Sequence, residues 1–99
     1  MMIVQSRDIR EFVQAAQGKS YEDILVMAES EATSAERLMY RQRHRMAPRT
    51  PPGTRYASQL KRFISFMRYG IKPAGIDAEQ LDVYRDLRRS SLERPVRRS

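Results

Sequence analysis

Apolar side chains recur along this chain at helical spacing, in four runs separated by glycine and proline. Ile9, Phe12, Val13 and Ala16 fall at i, i+3, i+4 and i+7, the stripe that one face of a helix turns to a core. Ser6 is placed to cap this first helix and Gly18 to stop it. Ser20 opens a second run, with Asp23 at the reciprocal position of a capping box. Ile24, Met27, Ala28, Ala32, Ala35, Leu38 and Met39 keep one side of it apolar to about Arg45. The small alanines on that side predict close packing against a neighbouring helix.

Pro48 ends the second run, and residues 47–53 read as a connector. Thr50 is the expected cap of the third helix, with Pro51 in the first turn, where a missing N–H costs nothing. Tyr56, Leu60, Phe63, Ile64 and Met67 fall within roughly 100° on a helical wheel, and the helix is expected to reach Tyr69 before Gly70 stops it. After the loop Lys72–Gly75, Asp77 caps a fourth helix, Gln80 stands at N3, and Ile76 is placed to staple onto Leu81. Leu81, Tyr84 and Leu87 point inward, and beyond Leu87 the periodicity stops. Strand alternation and internal repeats are both lacking. The pattern predicts an all-α fold, a small bundle of four or so helices with a basic C-terminal tail. Residues 1–46 form its N-terminal helical segment and 47–89 a second helical segment in the same compact domain. Residues 90–99 read as a tail or linker.

Ninety-nine residues suit one small domain. The charge changes the picture more than the size does. Residues 1–40 hold four basic and seven acidic side chains, whereas residues 41–99 hold fifteen basic and five acidic, within a net charge of +7. Nine basic residues stand between Arg41 and Lys72 without one carboxylate. Segregation of that kind points to an anionic partner. The side of the third helix opposite its apolar stripe carries Arg55, Ser58, Lys61, Arg62 and Ser65, with Tyr69 at its end. Long cations reach phosphates, and small hydroxyls let the backbone approach nucleic acid. Arg41, Arg43, Arg45 and Arg49, with His44 among them, extend the same positive run.

Other chemistry finds little to work with. The absence of cysteine excludes a disulfide scaffold and thiolate zinc sites, and one histidine excludes a histidine-rich metal centre. His44 lies among arginines that disfavour its protonation. The six methionines read as core filler, Tyr56 and Tyr84 as packing residues, and the second helix's carboxylates as its solvated side. No glycine loop suits a phosphate, and no nucleophile, base and oxyanion donor come together. Neither an enzyme nor a metal or cofactor is expected. The longest apolar runs are too short for a membrane span or a secretory leader, so a cytoplasmic protein is expected.

The stretch from Thr50 to Leu87 resembles the core-binding, SAM-like domain of tyrosine recombinases and phage integrases. Thr50-Pro51 is followed by Tyr56, Leu60, Phe63 and Phe66 at that family's spacing, and Gly70 and Ile71 take its turn. Ile76 to Leu81, with Tyr84, resembles the entry to its next helix. The resemblance implies a helical clamp whose inner helices enter the major groove. It adds Gln59 to Arg55, Ser58, Lys61 and Arg62 as the inner surface, and makes the tail from Arg88 a linker. His44 is followed by Arg45, Met46 and Ala47 rather than by a His-x-x-Arg box, and no catalytic set follows the tail. Pro52 and the acidic first forty residues depart from the family pattern.

The function expected is therefore a non-catalytic module that binds double-stranded DNA through a basic helix face. The alternative is a small phage or plasmid interaction protein, pairing with itself or with an acidic partner through its polarised charge. RNA is a third candidate, which the lack of exposed aromatic stacking platforms disfavours.

Overall fold

The computed structural model describes residues 8–45 and 54–94, and these form four α-helices. The all-α expectation holds: α1 spans Ile9–Ala16, α2 Tyr21–Arg45, α3 Thr54–Tyr69 and α4 Ala78–Leu92.

The cap of α1 is Asp8, two residues after the expected Ser6, which lies outside the described residues. An Asp8 side-chain oxygen accepts from the Arg10 N–H at 3.2 Å, satisfying one of the donors a helix start leaves free. All four residues of the predicted stripe are buried. At the head of α2, Ser20 accepts from the Asp23 N–H at 3.2 Å, as the capping-box pattern requires of its serine. Ile24, Ala28, Ala32 and Ala35 are buried behind it, and the side chains of Leu38 and Met39 lie outside the described residues.

The helices α2 and α3 form an antiparallel hairpin. Glu29 of α2 pairs with Arg68 of α3, and seven residues further along α2, Glu36 pairs with Lys61, seven residues back along α3. Buried Ala57 lies on α3's side of the hairpin and the alanine row on α2's, so two slim faces let the backbones approach. The expected Thr50 cap and Pro51 entry lie outside the described residues, and the described part of α3 opens at Thr54. Gly70 ends α3 at φ +72, a conformation costly for other residues, with its N–H bonded to Phe66 O at 2.8 Å.

Asp77 caps α4 by accepting from the Gln80 N–H at 2.8 Å. Here the sequence expectation is corrected: α4 does not fade after Leu87 but continues to Leu92. Its inward face passes from Tyr84 and Leu87 to Ser91, which is 1% exposed. The Ser91 hydroxyl donates to Arg88 O at 2.9 Å, so a polar side chain fills a core position without an unmet hydrogen bond. A pattern that counts only apolar residues passes over it.

An aromatic chain joins three helices. Phe12 of α1 meets Phe63 of α3 edge-on at 5.6 Å, Phe63 meets Tyr84 of α4 at 5.1 Å, and Tyr84 also meets Phe66 at 5.6 Å. Edge-to-face pairs of this kind add about 0.5–1.5 kcal/mol each beyond the apolar area they bury. The cluster fixes α1 and α4 against the same side of α3, and that placement shapes the surface considered next.

Candidate nucleic-acid interface

The outward surface of α3 divides into two strips with different electrostatic fates. Lys61 and Arg68, two helical turns apart, face α2 and are matched there by Glu36 and Glu29. On the other side run Arg55, Ser58, Arg62, Ser65 and Tyr69, at alternating spacings of three and four that keep them in one row. No carboxylate pairs with Arg55 or Arg62 among the described residues. Two of the four cations on α3 thus face carboxylates of α2, and the two without such a partner among the described residues lie along the other edge.

That edge forms the wall of a groove of about 850 Å³, which Arg55, Ser58, Gln59 and Arg62 line. The opposite wall comes from the start of α1, with Asp8 and Arg10, and from residues 73–77 leading into α4. Arg10 reaches across to Asp77 at 4.0 Å. Both side chains are mostly exposed, so the pair is weak and exchangeable. The groove therefore carries three guanidinium groups and, on the side away from α3, two capping carboxylates.

Tyr84 closes the groove at its base, 4% exposed. Burial pushes its hydroxyl pKa up; a hydrogen bond with Gln80 opposes the shift and the nearby Asp8 charge adds to it. The hydroxyl stays a neutral phenol, consistent with the packing role read from the sequence. Tyr56 is buried too, and its hydroxyl donates to Glu31 at 2.9 Å.

Of the nine residues singled out from the sequence, the structure brings Arg55, Ser58, Gln59 and Arg62 into one groove. Lys61 stands apart, held by Glu36. Arg41, Arg43 and Arg45 occupy the last turns of α2, at the end of the hairpin where α3 begins; their side chains, and Arg49 entirely, lie outside the described residues. Arg10 was not anticipated, because α1 supplies one exposed arginine with no basic pattern around it. Arg88, expected in a linker, is instead bonded into the fold, donating to Met67 O at 2.8 Å. Tyr69 is 70% exposed at the end of the α3 row, and Ile71 beside it is 56% exposed.

Among the described residues no group of three or more histidine, cysteine or acidic side chains is placed to hold a metal ion, and no helix is long and apolar enough to cross a membrane. No family model, curated protein or solved structure matches the chain.

Proposed function

We propose that the protein is a non-catalytic module that binds duplex DNA through the groove-side row of α3. The observation that carries this reading is the sorting of charge on α3. Cations facing α2 are paired with carboxylates, while Arg55 and Arg62 have no carboxylate partner among the described residues and stand beside Ser58 and Gln59. A helix kept positive along one edge, with small and amide side chains between its arginines, suits a polyanion with readable bases. Phosphate contacts supply most of the affinity.

The likeness to integrase core-binding domains belongs to the same proposal. Tyr56, Leu60, Phe63 and Phe66, which carry it, are all buried, so it bears on packing and the DNA contact rests on the other face of α3.

The test is a gel-shift comparison of the wild type with Arg55→Glu and Arg62→Glu, singly and together, on a random-sequence duplex at low salt. Far-UV circular dichroism reports whether the helices persist. The double variant is expected to lose binding with its helicity intact. Unchanged affinity removes α3 from the interface, and binding to RNA in preference to the duplex redirects the proposal to RNA.

A further inference from the structure

The groove holds charges of both signs, which a surface shaped for phosphate alone would not. Arg55 and Arg62 stand on the α3 wall, whereas Asp8 and Asp77, the latter 4.0 Å from Arg10, lie at the starts of α1 and α4 on the other. Phosphate oxygens brought against those carboxylates are repelled, while the amino groups of adenine and cytosine are attracted.

Gln59 sits within this arrangement, four residues after Arg55 and three before Arg62, so its side chain neighbours both on the helix surface. It is half-buried in the groove wall, and among the described residues no hydrogen bond holds its amide. An amide with both a donor and an acceptor to place, bracketed by two unpaired guanidinium groups, is a reader between two anchors.

Resting on the DNA-binding reading above, we propose that Gln59 is the sequence-determining residue of this surface and selects adenine, while Arg55 and Arg62 hold flanking phosphates. The rise of an α-helix separates Arg55 and Arg62 by roughly 10.5 Å along α3 with Gln59 between them, so the two long guanidinium side chains can hold phosphates on either side of the base that Gln59 faces. The Gln59 carbonyl accepts from adenine N6 and its amide donates to N7. Guanine offers two acceptors in the same places and leaves the carbonyl unpaired.

The experiment incubates the full chain with a randomised duplex pool and sequences the bound fraction. It then measures affinity for the enriched duplex, for the same duplex carrying 7-deazaadenine at the enriched position, and for a scrambled duplex. Enrichment of an adenine is expected, with a loss of about threefold to tenfold on 7-deaza substitution, which removes one hydrogen bond of the bidentate pair. Gln59→Ala is expected to bind enriched and scrambled duplexes alike, within about threefold of the wild type on the scrambled one. Arg62→Ala is expected to weaken both equally. Binding without any enrichment overturns the role of Gln59 and leaves the DNA reading standing. Enrichment that survives in Gln59→Ala, or an equal loss on both duplexes, also overturns it. No binding to any duplex at low salt removes the DNA reading and this inference together.

Discussion

The Arg88 guanidinium of α4 donates through Nε to the Met67 carbonyl of α3 at 2.8 Å. Met67 O lies in the last turn of α3, where carbonyls have no partner within the helix, and the Tyr21 hydroxyl of α2 donates to the same oxygen at 3.1 Å. One backbone atom thereby ties three helices together. An arginine in a run that reads as basic tail is in fact a cap, and its charge complements the negative end of the α3 dipole.

Replacing Arg88 with methionine keeps the apolar stem and removes the donor. Stability is expected to fall by about 1.5–3 kcal/mol, the range for a hydrogen bond to a charged group. Duplex affinity should stay within about twofold, because Arg88 is bonded to Met67 O and does not line the groove. Tyr21→Phe is expected to cost less, and the double variant to cost other than the sum, since both donors share one acceptor. Urea denaturation with each variant checks this.

The two strips of α3 make opposite predictions for residues that look alike in sequence. Lys61→Ala and Arg68→Ala remove cations already matched by Glu36 and Glu29, and each should change duplex affinity less than Arg62→Ala does. Glu36→Gln should tighten binding by freeing Lys61. Fluorescence anisotropy on one duplex at one salt concentration orders the four variants, and an equal loss from Lys61→Ala and Arg62→Ala contradicts the sorting.

The alanine row of α2 sets how closely α3 approaches. Ala32 is 6% exposed, so leucine there overpacks the hairpin, and a loss of about 1–3 kcal/mol is expected in thermal or urea unfolding. Phe63→Ala removes the ring that meets both Phe12 and Tyr84, and about 3–5 kcal/mol is at stake, a large share of the stability of a domain of this size.

Tyr84 makes the fold sensitive to alkali. Its pKa is raised in the folded state, chiefly by burial, so its stabilising contribution is complete below the unfolded value of about 10. It declines as pH rises from there toward the folded value, because the unfolded chain loses the proton first. Tyr84→Phe should flatten the fall of stability above about pH 10, measured by urea midpoints across that range. An unchanged pH profile contradicts the assignment.

Most of the fold was legible because its signals are local. The α1 stripe, the α3 stripe apart from a partly buried Ile64, the Ser20 and Asp77 caps and the Gly70 stop all follow from neighbouring residues, and the structure reproduces them. The end of α4 was not legible, because Ser91 fills a core position that apolar periodicity does not register. The candidate surface was half legible. A helical wheel separates the outer face of α3 from its core face, but it cannot tell that Lys61 meets Glu36 while Arg62 meets no acid. That distinction depends on where α2 lies. Arg10 and Asp77 are far apart in sequence, and only the folding of α1 and α4 against one side of α3 brings them to the same groove.

The most direct test of the central claim is the salt dependence of duplex binding, followed by fluorescence anisotropy with a random-sequence DNA from low to physiological salt. A log–log slope of about −4 to −7 is expected, the response to several phosphates neutralised by arginines. A flat or absent signal at low salt contradicts the account, and the unpaired arginines of α3 would then have to face an acidic protein.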